Sequence, residues 1–538
     1  MKRNILIGIL VCLCYWSCYE DKGVYDYSPS NGVTISTPPV NVVLPAVMGD
    51  TFRYFPPITF ANPDDTLGFE YWWEYRGSTS KPQLTLDVVC NTRELSFLPR
   101  VLGTQTLQIC VKEISTGIIT SRALTVSAGT VYTKGWLILS EDDGESILSF
   151  VRPDRPVSGN FTRENRVYVP YVNLYNRIFP GESLGRNPIA LRQAVSRVSG
   201  TIFYVIQENE SVCLNGQSYQ KEIPLAQEFI DGAPAGFNPR DYWHGNYSNI
   251  VLDADGKIYS RSPATGGGTA FFTYSFANFP VEYQGKVLKV DRIIYAMAET
   301  GLLFAVYDKE NKRFLWVYAG GPRTAGTLMK TSYNVDGNLN YNDTGDADII
   351  YAAYSYERSG QLGAGATSNL MVLYSSGGET YVQIATSTIA QNLVTLPVAG
   401  LPLTAVQKKI FSGKTYITPN TKYYKLKTRD YLFFATGGTV YWYDFATNET
   451  YAFFNFAGDE VIDMSSNPQE SELGVLLKSG KFATLDILNE NLKGANNPVG
   501  ATNKMYEVDI PGNKMIDLEY KFPDYTQYTA RTNSGSRD

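Results

Sequence analysis

The sequence predicts an all-β protein, an immunoglobulin-like β-sandwich followed by a β-propeller of about seven blades. Three observations predict it. The composition suits strands and tight turns, with 39 Tyr, 26 Phe and 46 Gly in 538 residues. One pattern, an apolar strand, a tight turn and a second strand, recurs seven times after residue 131. A strand-like segment, "KMIDLEYKF" at 514–522, then stands near the C-terminus with no hairpin after it.

Residues 1–17 read as a signal peptide. Met1-Lys2-Arg3 is a short basic start, and "NILIGILVCLCYW" is an apolar core too short for a permanent membrane helix. The core ends at Ser17-Cys18, a small residue before a cysteine, and the chain then turns polar. Cys18 is therefore read as the lipidated N-terminus of the mature protein, and residues 18–33 as its tether. Residues 34–128 read as the sandwich. "TFRYFPPITF" and "FEYWWEYRG" are strands, with Trp72 or Trp73 as the core aromatic. "QTLQICVKEISTGIITSRALTVSAG" is a hairpin turning at 115–117. Cys90 and Cys110 fall on opposite faces of their strands, so a disulfide between them is not expected.

The propeller is placed at 131–522. Its hairpins are "GWLILSEDDGESILSF", "GTIFYVIQENESVCLNG", "NIVLDADGKIYSRS", "GLLFAVYDKENKRFLWVYA", "NLMVLYSSGGETYVQIA", "YLFFATGGTVYWYDFATNETYAFF" and "ELGVLLKSGKFATLDI". A further strand precedes many of them, such as "DRIIYAMAE" and "EVIDMSSN", but none precedes "GWLIL". The orphan at 514–522 supplies it, which closes the ring and leaves no open sheet edge. Residues 523–538 read as a polar, disordered tail.

Composition excludes several chemistries. The net charge is -6 with no basic block, which argues against a nucleic-acid partner. His244 is the only histidine, which removes multi-histidine zinc sites. No G-x-S-x-G accompanies it, and no Walker or Rossmann glycine pattern is present. "SEDDGES" at 140–146 has Asp-box spacing and reads as a hairpin turn.

Three long stretches, 170–188, 232–249 and 321–348, precede the opening strands of repeat copies and are expected to share one face of the propeller. They are rich in Tyr, Asn and Asp. Tyr242, Trp243, His244, Tyr333 and Tyr341 are the candidate ligand- or partner-binding residues. The competing expectation is that Tyr242 and Trp243 pack down as loop anchors. "NVDGNLNYND" places oxygen ligands at Asn334, Asp336, Asn338 and Asn340. Calcium is the ion such a run can hold, but Gly337 is misplaced for an EF-hand and no closing Glu follows, so a solvated turn cluster is the commoner outcome. No other cofactor is expected and no catalytic residue is assigned.

"CYEDKGVYDY", "YWWEYRG", the junction "STGIITSRALTVSAGTVYTKGWLILSEDDG" and the repeat region together resemble the PKD-like lipoprotein family of Bacteroidetes. The first domain lacks the W-x-F-G-D-G element of true PKD repeats and has "WWEYRGS" instead. Glu20-Asp21, just after Cys18, resembles the surface-export signal of such lipoproteins. The resemblance implies an outer-membrane, lipid-anchored protein on the extracellular face. It implies a non-catalytic accessory of a SusC/SusD-type nutrient importer, with oligopeptide or oligosaccharide as cargo. The enzyme alternative is a propeller glycoside hydrolase or lyase using Asp and Glu carboxylates.

Overall fold

The computed structural model describes residues 29–39, 41–64, 66–78, 87–154, 166–196, 200–208, 210–244, 248–261, 275–294, 303–318, 327–332, 337–356, 367–388, 400–488, 492 and 503–522. Two compact units are present. The first comprises 1–46, 51–97 and 103–128, and the second the rest, chiefly 129–538.

The first unit is a β-sandwich. Its five-stranded sheet places Phe69–Ser78 between Asp87–Cys90 and Gly103–Glu113, with Ile119–Gly129 and then Val43–Val47 beyond. Two small two-stranded sheets accompany it, Val33–Ile35 with Ile58–Phe60 and Phe52–Tyr54 with Leu95–Phe97. Trp73 is fully buried among Leu107, Ile109, Leu124 and Val126. Across the ladder Cys90 lies opposite Trp73, and Cys110 opposite Trp72, so the two thiols point to opposite faces. Cys90, Cys110 and Cys213 are free.

The second unit is a ring of seven antiparallel sheets, here blades 1 to 7. Their first strands, in order from blade 1, are Lys514–Lys521, Pro188–Ser196, Pro239–His244, Val290–Ile294, Asp348–Tyr356, Lys422–Lys425 and Val461–Ser466. Blades 2 and 3 show three strands among the described residues and the others four. A separate two-stranded hairpin, Glu282–Tyr283 with Lys286–Val287, sits in the connection from blade 3 to blade 4. The C-terminal strand pairs with Gly135–Asp142 in the register Gly135↔Lys521 to Glu141↔Lys514. The orphan segment thus completes the blade that opens the ring.

The apolar runs follow from this stacking. A second strand is covered on both faces by neighbouring blades, so every side chain from Trp136 to Leu139 is buried. Alternate residues serve opposite neighbours. Leu137 and Leu139 pack with Leu191, Phe203 and Val205 of blade 2. Trp136 and Ile138 pack with Leu476 and Phe482 of blade 7. Similar clusters fill the other five junctions. The first hairpin turns at Asp143 and Gly144, both with positive φ (49° and 84°), a type I′ turn that matches the strand twist. "SEDDGES" is therefore a hairpin turn.

The candidate aromatic residues correct the sequence expectation. Tyr242, Trp243 and His244 lie within the first strand of blade 3, not in the loop before it. Tyr242 packs into the blade 2/3 core and Trp243 into the blade 3/4 core, because adjacent strand residues face opposite sides. His244 is buried in the same strand. Tyr341 is buried in the blade 4/5 core, where its ring meets Phe314 and Trp316 edge-on. None of these side chains presents a face to a ligand. Tyr333, Asn334 and Asp336 lie outside the described residues, as do Cys18, Glu20 and Asp21.

Candidate functional site

Two features of the ring concentrate polar chemistry: the axis bounded by the first strands, and the face where the chain passes from blade to blade.

Hydrogen bonds join the first strands to one another in circular order. Six of the seven carry a β-bulge at the same place, the extra residues being Ile189, Arg240, Asp291, Ile350, Ile462 and Ile516. A bulge breaks the alternation and re-aims the next side chain. The residues that follow are Ala190, Asp241, Arg292, Tyr351, Asp463 and Asp517. Apart from Ala190, these make hydrogen bonds to a neighbouring first strand.

The bonds run around the whole ring. Leu518 N–H donates to Asp463 Oδ2 (2.9 Å), joining blade 7 to blade 1. Leu191 N–H donates to Asp517 Oδ2 (2.7 Å), as does Arg192 Nη1 (2.7 Å), joining blade 1 to blade 2. Arg192 Nε reaches Asp241 Oδ1 of blade 3 (2.6 Å). Arg240 Nη2 donates to the Asp291 carbonyl of blade 4 (2.5 Å). Arg292 donates to the carbonyls of Ile350 (2.8 Å) and Ile349 (3.2 Å) in blade 5. Lys425 N–H of blade 6 donates to Tyr351 Oη (3.2 Å). The Tyr424 and Ser466 hydroxyls, 2.9 Å apart, join blades 6 and 7.

Three carboxyls crowd the closure. Burial, then the charge of Asp517 and a hydrogen bond to it, hold Asp463 well above the ordinary carboxylate range. Burial pushes Glu519 up to about 7, with Arg192 opposing and Asp517 adding to the rise. A third of the Glu519 side chain is reachable by solvent. Beside them, Lys521 is buried with its ammonium donating to the carbonyls of Tyr132 and Gly216 and to Tyr219 Oη. Its desolvation holds it well below the usual lysine value.

The second feature is the connector face. At every blade the turn between second and third strands, or in blade 5 the start of the third strand, accepts an N–H from the chain entering the next blade. Donors and acceptors are Asn187 to Gly144, Leu225 to Ser211, Val290 to Gly256, Thr344 to Lys312, Phe411 to Thr380, Val461 to Gly437 and Ile510 to Gly480. The three long stretches contribute to this face only in part, since 239–244, 327–329 and 348 belong to strands. Val172, Ile230, Phe279 and Tyr416 are exposed on these connectors, Phe279 by 69%. The connector between blades 2 and 3 is fixed underneath by a buried ion pair, Glu228 with Arg261 at 2.5 Å. Tyr204 donates to Glu228, and Arg261 donates to Tyr242 Oη (3.3 Å). Tyr242 is therefore part of the loop's anchor.

In the calcium candidate, Asn340 Oδ1 accepts the N–H groups of Asn342 (2.9 Å) and Asp343 (3.2 Å), an Asx turn. Asn338 is half-buried beside it. Among the described residues no group of three or more His, Cys, Asp or Glu side chains is placed to hold a metal. Among them, too, no helix is long and apolar enough to cross a membrane.

Sequence reading missed the axial set. Its only signal is an Asp after one or two apolar residues in "VIDM" and "MIDL", which matches too many surface strands to stand out.

Residues 18–188 match the model of the PKD-like family. No curated protein matches the chain at a significant level. Among solved structures, a quinonprotein alcohol dehydrogenase-like protein from Bacteroides thetaiotaomicron is 12% identical, with 89% of this chain and 96% of that one covered at a TM-score of 0.49. Kluyveromyces lactis Hsv2 is 10% identical, with 60% and 83% covered at 0.31. The β-propeller domain of Myceliophteria thermophila Cps50 (Swd1) is 8% identical, with 62% and 89% covered at 0.35. The propeller assignment stands on the strand pairing itself.

Proposed function

We propose that this protein is a non-catalytic accessory lipoprotein of a SusC/SusD-type importer, anchored through Cys18 on the outer face of the outer membrane, where it helps capture oligopeptide or oligosaccharide. The observation that carries the reading is the reach of the PKD-like match. It begins at Cys18, the residue that the leader makes the new N-terminus, and runs through the sandwich into the connector before blade 2. The axis supports the non-catalytic part, because Asp463, Asp517 and Asp241 each accept bonds that fasten neighbouring blades. The connector face is the docking or cargo surface, with Phe279, Ile230 and Tyr416 as its exposed apolar contributors.

The test is fractionation and co-purification. Cys18→Ala should leave carbonate-washed membranes and appear in the soluble fraction; full retention would remove the anchor. Phe279→Asp with Ile230→Asp should lower importer recovery at least about tenfold while the protein stays folded and membrane-bound, as expected for truncated hot spots worth about 2 kcal/mol or more. Unchanged recovery would take the connector face out of the account.

A second reading has one observation in its favour. Glu519, held near 7 beside Asp517, has the protonation behaviour of a glycosidase acid. Turnover of a glycan library that disappears in Glu519→Gln would establish it.

A further inference from the structure

The sandwich carries an aliphatic tip that its own core does not use. The turn of its long hairpin presents Ile114, Ile118 and Ile119, each more than half exposed, and the neighbouring turn presents Leu67 at 94% exposure. The two turns are one structure. Ile114 N–H donates to the Gly68 carbonyl (2.9 Å), and Phe69 pairs with Glu113 on the next rung. The hairpin turn is itself fixed, with Glu113 N–H donating to Ile118 O and Gly117, at φ 71°, donating to Glu113 O. Four aliphatic side chains on two fastened turns form the kind of exposed patch that marks an interaction surface.

The position of the tip identifies what covers it. Glu113, at the base of the same turn, accepts Ser30 Oγ (2.8 Å) and Asn31 N–H (2.8 Å), so the chain entering the sandwich is tied to this end. Thr116 Oγ1 donates to the same carboxylate (2.6 Å). Burial opposes ionisation only weakly there, and these donors, Thr116 first, hold the Glu113 carboxyl below its ordinary value. From Cys18 to Pro29 the chain has eleven peptide steps (29 minus 18) and reaches at most about 40 Å. The tether to Cys18 therefore joins the sandwich at the end that bears the four aliphatic residues.

We infer that the tip formed by Leu67, Ile114, Ile118 and Ile119 docks on the lipid surface and is the second membrane contact of the anchored protein. This rests on the anchoring of Cys18 proposed above. A covalent lipid and an apolar tip on one end act as two membrane signals, and the second adds orientation to attachment, since membrane contact scales with buried apolar area.

The test uses the lipidated full chain in vesicles of phosphatidylethanolamine and phosphatidylglycerol, with Ile118→Trp as the reporter. Ile118 is exposed, so the variant should melt as the wild type does. The emission added by Ile118→Trp should fall at least about twofold when the phospholipid acyl chains are brominated, and aqueous iodide should quench it less than in the vesicle-free Cys18→Ala protein. Quenching by iodide and not by brominated lipid places the tip in water and overturns the proposal. Shielding from both places it against another protein chain and also overturns it. Flotation separates the two layers: wild type that does not float with the vesicles removes the Cys18 anchor and this proposal with it, whereas wild type that floats with an unquenched reporter removes the tip alone.

Discussion

The closure sector of the ring, blades 7, 1 and 2, and the far sector, blades 5 and 6, perform one task with different chemistry. In the closure sector the first strands are fastened by ionisable groups, Asp463, Asp517 and Arg192, which are mostly enclosed and linked through Asp517. In the far sector the same register position holds Tyr351, a single neutral acceptor for Lys425 N–H, stacked on Tyr423 at 5.2 Å. The difference follows from connectivity. Blade 1 takes its first strand from the C-terminal part of the chain, so no hairpin joins that strand to Gly135–Asp142. Carboxylates accepting several donors, and the buried Lys521 with its three acceptors, fix that strand from both sides. In blades 5 and 6, each contiguous in sequence, the carboxylate sits away from that register position: Asp430 accepts Ser355 Oγ (2.9 Å) and the buried Lys425 ammonium (3.2 Å).

The largest expected effect is removal of the closing strand. A chain ending at residue 510 leaves Gly135–Asp142 as an open edge and exposes Trp136, Ile138 and the blade 7 core. It should lose the cooperative melt of the propeller and aggregate, read by calorimetry and gel filtration. A sharp, wild-type-like transition would show that the two sectors do not differ.

Arg192→Ala comes next. It leaves Asp241 and Asp517 facing each other's charge without their shared partner. Both are mostly enclosed, so the cost should be about 2–4 kcal/mol, toward the lower end of a broken buried pair. Denaturant unfolding measures it. Gly474→Ala should cost about 1–3 kcal/mol, since its Cβ would stand 2.6 Å from the Trp136 ring across the blade 7/1 junction. Tyr351→Phe, the far-sector counterpart, should cost about 1 kcal/mol for one lost neutral hydrogen bond. If Tyr351→Phe cost as much as Arg192→Ala, the sectors would be equivalent.

The comparison also has a pH signature. Asp463 and Glu519 are raised in the folded protein, so the folded state holds more protons than the unfolded state between the ordinary carboxylate value and the raised one. Their contribution is fully present below about 4 and is lost as pH rises, for Glu519 through about 7. Asp463→Asn with Glu519→Gln should therefore flatten the decline of melting temperature between pH 4.5 and 8, whereas Tyr351→Phe should leave the slope unchanged. Parallel curves for the double variant would contradict the raised values of Asp463 and Glu519.

What was legible in the sequence follows the same division. Second strands such as "GWLIL" are covered on both faces, so they read as unbroken apolar runs and their hairpins were placed correctly. The orphan strand was legible because its "MIDLEY" pattern echoes "VIDMSS". First strands were harder. Most are bulged and polar toward the axis, so alternation fails. "NPRDYWHGN" reads as a loop although Pro239–His244 is a buried strand. That is why Tyr242 and Trp243 looked like surface aromatics. The axial bonds were invisible for a related reason: six of the seven blades contribute one post-bulge residue each, and its type varies among Ala, Asp, Arg and Tyr around the ring.

The central claim is that the axial carboxyls belong to the scaffold of the ring and that recognition, as proposed, lies on the connector face. Capture of the proposed importer partners by folded Asp463→Asn/Glu519→Gln protein, compared with wild type at pH 7.5, tests it most directly. The account predicts equal recovery at a melting temperature no lower than wild type. Loss of importer or cargo binding in a protein that melts like wild type would place function on the axis and contradict it.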